Sequence, residues 1–148
     1  MMTRTVTSQE DTELATRLRL AVMRLARRLR RQAPEGISPS QLSALATLEG
    51  TGPLTLTELA AEERVQPPTM TRIVAALEVA GLVVRSVDMK DRRCTHLKLS
   101  GEGKRLIGRA RSRKTAYLAE RIAALSDSDR ATLVAATDIV ERFVRDPD

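Results

Sequence analysis

Leu14, Leu18, Val22, Leu25 and Leu29 follow one another at steps of 4, 4, 3 and 4. That spacing predicts a long helix with one apolar face. Thr7 with Glu10, or Ser8 with Asp11, offers a capping box near its start. Arg17, Arg19, Arg24, Arg27, Arg28, Arg30 and Arg31 fill the remaining positions, and Pro34, Gly36 and Pro39 end the helix and open the next. Ser38-Pro39-Ser40-Gln41 is a second start signal: Ser38 caps, Pro39 suits the first helical position and Gln41 completes the box. Leu42, Leu45, Ala46 and Leu48 form a short buried stripe, stopped by Gly50 and Gly52-Pro53. Thr55 to Glu58 is a third box, with Leu54 and Leu59 placed as a hydrophobic staple, and it predicts a short helix to near Arg64.

Val65-Gln66-Pro67-Pro68 starts another helix after a very short turn. Pro67 sits at its first position, and Gln66 is a weak cap. Met70, Ile73, Val74 and Leu77 form its inward face, and Gly81 is the glycine that ends it. From there the period changes. Leu82-Val83-Val84 and the alternation of Thr95, Leu97 and Leu99 with Cys94, His96 and Lys98 predict a hairpin with one buried and one wet face. Ser100 caps a long helix carrying Leu106, Ile107, Ala110, Tyr117, Leu118 and Ile122. Ser126 with Asp129 caps a last one, whose apolar side is Leu133, Ala136, Thr137, Val140 and Val144.

Composition narrows the class. The 148 residues are 42% hydrophobic and 30% charged, with one Phe, one Tyr and no Trp, so the core is Leu, Val, Ile and Ala. The formal net charge is +6, which points to an anionic partner. Few aromatics argue against recognition of single strands by base stacking. One cysteine excludes an intrachain disulfide and fits a reducing cytoplasm. No apolar run approaches a membrane span, and the N-terminal MMTRTVTSQEDTE does not resemble a signal peptide. There is no nucleophile–base pair with a plausible partner, no Gly-rich phosphate loop and no metal-ligand spacing, so neither an enzyme nor a cofactor is expected.

The element order is four helices, a hairpin and two helices. Two short helices joined by a tight turn and followed by a charged hairpin describe a winged helix-turn-helix, whose second helix enters the major groove of double-stranded DNA. With Met70 at the centre of the inward face, Pro68, Thr69, Arg72, Ala75 and Ala76 point outward at 100° per residue, with Thr71 on the flank. This face is small or hydrogen-bonding and carries one long reader, as a groove requires. The hairpin tip holds Asp88, Lys90, Asp91, Arg92 and Arg93. Lys90, Arg92 and Arg93 suit phosphates or a narrow minor groove. Asp88 and Asp91 are expected to order Arg92 or Arg93 by carboxylate–guanidinium pairing.

From Ser38 to about Ile107 the chain resembles the MarR family of bacterial transcriptional regulators. The resemblance rests on "LTELAAEERVQPPTMTRIV" as the helix-turn-helix, on Asp88, Asp91, Arg92 and Arg93 as the acid-x-x-acid-Arg-Arg wing motif, and on Leu99-Ser100-Gly101-Glu102-Gly103 opening the following helix. Gln66 departs from the family's usual Ser or Asp cap, and Met89 from a frequent Pro. The resemblance implies a mainly α fold with a small β-hairpin wing: a dimerisation helix in 1–37, the winged module in 38–100 and C-terminal dimerisation helices in 101–148. It implies a homodimer on a palindromic operator, in most cases a repressor, released by a small aromatic or phenolic effector. No effector residues can be assigned. The apolar stripes at both ends of the chain agree, and Val140, Phe143 and Val144 suit an intersubunit surface.

The expected DNA-contacting residues are Gln66, Pro67, Pro68, Thr69, Thr71 and Arg72 on the recognition helix and Lys90, Arg92 and Arg93 on the wing. Ser38, Ser40, Thr55 and Thr57 are candidates for the DNA backbone. Cys94, beside Arg93, is a redox candidate, because neighbouring cations lower a thiol's pKa. The alternative to a regulator is a basic helical interaction module that uses the arginines of residues 17 to 31 without sequence-specific recognition.

Overall fold

The computed structural model describes residues 7–145; the first six residues of the polar N-terminal segment lie outside it. The elements are α1 (Gln9–Arg30), α2 (Pro39–Thr51), α3 (Leu56–Glu62), α4 (Pro67–Val79), β1 (Val83–Val87), β2 (Thr95–Leu99), α5 (Gly101–Ala123) and α6 (Asp127–Arg145). The chain divides into two compact units, the first running to Lys114 and the second starting at Thr115.

The helix starts follow the caps. Of the two frames open for α1, the Ser8–Asp11 box is the one formed, with the Ser8 hydroxyl accepting from the Asp11 N–H. The boxes Ser38–Gln41 and Thr55–Glu58 start α2 and α3. α1 ends at Arg30, before Pro34. α2 runs through Gly50 and stops at Gly52, which alone of the two has positive φ (84°). Gly50 is therefore not a stop.

The core of the first unit lies where α2, α3 and α4 meet the hairpin. Leu45, Leu59, Met70, Val74, Leu77 and Leu97 are its largest fully buried side chains. Ala44 is buried and Ala46 exposed, which corrects the expected stripe of α2. α2 is packed on by α3, α4 and β2 at once, so the arc it buries is wider than one apolar stripe. Ile107 and Ala110 bring the first turns of α5 into the same core.

β1 and β2 pair antiparallel with Val83 opposite Leu99 and Val87 opposite Thr95. Leu54, just before α3, forms an isolated antiparallel bridge with Leu97: each N–H donates to the other's carbonyl, at 3.1 and 2.6 Å. This bridge anchors the inner strand of the hairpin to the entry of the helix-turn-helix. Neither α1 nor α6 contains a buried residue. Leu14 in α1 is 62% exposed, and Phe143 and Val144 in α6 are 65% and 81% exposed.

Candidate nucleic-acid interface

α4 is presented by a turn of four residues, 63–66, after α3. Glu63 ties this turn to α2: its carboxylate accepts from the Ser43 hydroxyl at 2.7 Å and the Thr47 hydroxyl at 2.5 Å. Arg64 follows with φ 54°, and Val65 packs against the core. Gln66 makes no side-chain cap. Pro67 and Pro68 carry no N–H, so two of the donors a cap normally serves are absent. The proline pair makes a cap dispensable and leaves the Gln66 amide uncommitted to the helix end.

Along α4, Met70, Val74 and Leu77 are buried, while Pro67, Pro68, Thr69, Thr71, Arg72, Ala75 and Ala76 are exposed. The Thr71 hydroxyl donates to the Pro67 carbonyl at 2.9 Å, so its proton is engaged within the helix and its oxygen can still accept. Val79, also exposed, extends this face with a further small side chain. At the far end Glu78 accepts from Arg85 of β1 in a 2.8 Å ion pair, which joins the recognition helix to the wing. Sequence reasoning missed both the Glu63 and the Arg85 contacts. The Glu63 contacts span 16 and 20 positions and the Arg85 contact crosses from helix to strand over seven, and no spacing rule announces either.

The wing tip is closed mainly by backbone bonds. The Asp88 N–H donates to the Cys94 carbonyl and the Cys94 N–H to the Asp91 carbonyl, both at 2.9 Å. The Asp88 carboxylate accepts from the Lys90 N–H at 2.8 Å and the Asp91 carboxylate from the Arg93 N–H at 3.1 Å, so each folds the loop onto itself. Asp91 also lies 3.5 Å from the Arg93 Nε. Among the described residues Asp88 forms no ion pair with an arginine, and neither does Arg92 with a carboxylate. The expected arginine pairing is thus confined to Asp91 and Arg93, and Asp88 shapes the turn instead. Lys90, Arg92 and Arg93 are exposed, with the Arg93 side chain at 95%.

Cys94 departs from expectation. Its thiol is half-buried, with Sγ 3.7 Å from an Asp91 carboxylate oxygen. The Asp91 charge, then desolvation and the hydrogen bond to Asp91, push its pKa up. The acids of the tip outweigh its arginines at this sulfur, so the expected lowering by neighbouring cations is not found. Glu58 shows the opposite shift: the Thr55 N–H and then its hydroxyl hold the carboxyl below its ordinary range.

Ser38, Ser40 and Thr57 are exposed and Thr55 is half-buried. The Ser38 and Thr55 oxygens accept cap bonds, and the Thr55 hydroxyl also faces the Glu58 carboxyl. His96 is half-buried on β2, opposite Ser86. Among the described residues no group of His, Cys, Asp or Glu is placed to hold a metal ion, and no helix is long and apolar enough to cross a membrane.

A small-faced helix on a tight turn, joined to a cationic hairpin, is the architecture of a DNA-reading winged module. The MarR family model matches residues 37–95. An HTH-type transcriptional regulator of Mycobacterium tuberculosis is 44% identical over 135 residues, 90% of this chain and 94% of the relative. The chain belongs to the MarR family. It is a winged helix-turn-helix, DNA-binding regulator of transcription. A Pseudomonas aeruginosa protein described as a transcriptional regulator has the same fold, with a TM-score of 0.81 and 34% identity, covering 95% of this chain and 99% of that one. A mutant MepR of Staphylococcus aureus, solved bound to an oligodeoxyribonucleotide, shares the fold at a TM-score of 0.71 and 18% identity, covering 89% of this chain and 98% of that one.

Proposed function

We propose that this MarR-family regulator is a cytoplasmic repressor that binds a palindromic operator as a homodimer and is released by a small aromatic or phenolic effector. The observation that carries the DNA-reading part is the outward face of α4. Gln66, Pro67, Pro68, Thr69, Thr71 and Arg72 are exposed there, beside a tip bearing Lys90, Arg92 and Arg93. Thr69, Thr71 and Arg72 read base edges in the major groove. Arg93, held by Asp91, enters the minor groove, and Lys90 and Arg92 take phosphates. Ser38, Ser40, Thr55 and Thr57 donate to the DNA backbone. The MepR mutant, with the same fold and bound to an oligodeoxyribonucleotide, supports DNA as the partner.

Dimerisation is assigned to the terminal segments, 1–37 and 101–148. α1 and α6 are capped, amphipathic helices whose apolar residues stay open to solvent in one chain. Faces of that kind need a partner, and a second copy supplies one with two-fold symmetry. The test is selection of bound sequences from a random duplex library, with sedimentation of the free protein. An inverted repeat with half-sites about one helical turn apart, roughly 10 bp, and a dimer at micromolar concentration are expected. A monomer, or a preferred site without two-fold symmetry, refutes the reading. Binding with no preferred sequence favours the basic interaction module.

A further inference from the structure

We propose that Arg64 is a further DNA-contacting residue, a cation that the turn of the helix-turn-helix holds against the phosphate backbone beside the leading end of α4. The inference rests on the winged-module reading above. Among the described residues Arg64 is the one non-glycine residue with positive φ, at 54°. That backbone conformation is costly for an L-residue with a Cβ and free for glycine. A residue stays in it only where its surroundings over-determine it, and such residues cluster at functional sites.

Both flanks of Arg64 are fixed. Glu63 is held by Ser43 and Thr47. The Arg64 N–H donates to Ala61 at 3.1 Å and the Val65 N–H to Ala60 at 3.0 Å, and Val65 packs on the core. None of these contacts uses the Arg64 side chain, so the turn would close as well around a glycine. The bonds to Ala61 and Ala60 are the left-handed closure that ends α3, so folding accounts for the backbone conformation but not for an arginine where glycine is the usual choice. The side chain itself is exposed and belongs to none of the ion pairs of the described residues.

Its position suits a phosphate. Two Cα steps separate Arg64 from Gln66, at most about 7.6 Å. A helix seated in a major groove roughly 12 Å wide has a phosphate wall on either side of its leading end. An arginine two residues upstream of that end is within side-chain reach of a wall, and its guanidinium fork matches phosphate oxygens.

The test compares wild type with Arg64→Gly, Arg64→Asn and Arg64→Lys. Fluorescence anisotropy follows binding to the labelled duplex selected with wild-type protein, and to a scrambled duplex of the same length, over about 50 to 300 mM KCl. Arg64→Gly should melt at the wild-type temperature or up to about 4 °C higher. It should nevertheless bind both duplexes about tenfold more weakly, with a log–log salt slope smaller by about two per dimer. Arg64→Asn, which tolerates this φ without a charge, should show the same loss, and Arg64→Lys should keep most of the slope. Unchanged affinity and slope in the Gly and Asn variants overturns the proposal. So does a loss confined to the selected duplex at unchanged slope, which would make Arg64 a base reader. If wild type binds neither duplex, the winged-module reading fails first and takes this inference with it.

Discussion

Gly103→Ala should destabilise the protein far more than a helical glycine-to-alanine exchange ordinarily does. A Cβ added at Gly103 would lie 2.1 Å from the carbonyl oxygen of Leu82. No side-chain rotation relieves that contact, because the obstacle is backbone. The same carbonyl accepts from the Ser100 N–H at 3.0 Å, and the Leu82 N–H donates to Leu77 at 2.9 Å. The Ser100 hydroxyl donates to the Gly81 carbonyl at 2.5 Å and accepts from the Gly103 N–H at 3.0 Å. Moving Leu82 out of the way therefore disturbs the junction of α4, β1 and α5 together. Overpacking costs about 1–3 kcal/mol. One weakened backbone hydrogen bond adds about 1 kcal/mol. The sum, about 2–4 kcal/mol, lowers the melting temperature by about 6–12 °C for a chain of this length. Thermal unfolding followed by circular dichroism, at equal protomer concentrations, measures it. Gly108 is the internal control: it lies in the same helix, and a Cβ added there would meet nothing within 4 Å. Gly108→Ala should be neutral or stabilise by up to about 1 kcal/mol through helix propensity. If both variants melt alike, the close approach at Gly103 does not govern stability and the reasoning fails.

Arg72→Ala should cost about 1–3 kcal/mol in operator binding and relax discrimination at one position per half-site, read by competition with single-base variants. Arg93→Ala should weaken binding across most sequences and shrink the salt slope by up to about two per dimer, insofar as its contact is to phosphate. Unchanged affinity together with an unchanged slope would place Arg93 away from the DNA. Asp91→Asn removes the charge that raises the Cys94 pKa. A raised pKa means less thiolate at a given pH. Wild-type Cys94 should thus be alkylated by iodoacetamide with a pH midpoint above that of a free-cysteine peptide, and Asp91→Asn should move the midpoint down. Equal midpoints in the two proteins would show that Asp91 does not control the thiol.

Local order in this chain was legible because its signals are local. Ser8, Ser38 and Thr55 each sit three residues before the Asp, Gln or Glu that completes the box, and each box starts a helix. Gly81, with φ 71°, ends the recognition helix where the periodicity stops. Gly50 and Gly52 could not be separated in that way, since both follow the last apolar residue of the stripe. What decides is the antiparallel bridge of Leu54 to Leu97, which fixes where the chain must turn. That partner is 43 positions away, and no window of helical length contains it. Arg64 was passed over for a related reason. Arginine carries no signature of a left-handed backbone, and only the flanking contacts of the turn impose one.

The wing shows how a correct charge count can still mislead about roles. Five formal charges in six residues read as a set of ion pairs, with the acids ordering the arginines. A short loop has a more urgent need, because its backbone N–H groups lack ladder partners. Asp88 and Asp91 meet it by accepting from the N–H two residues on, at Lys90 and Arg93. A carboxylate so engaged still carries its charge, and that charge falls on whatever stands nearest. Here the neighbours are the Arg93 guanidinium, exposed and weakly held at 3.5 Å, and the Cys94 thiol at 3.7 Å. An exposed pair of that kind is worth little in water, about 0–1 kcal/mol. The aspartates therefore act first on the shape of the tip, and through that shape on where Lys90, Arg92 and Arg93 are carried. A wing whose acids only repelled phosphate would bind more tightly without Asp88. A wing whose acids build the loop should bind more weakly, because the loss of the Lys90 bond frees the cations from a common orientation.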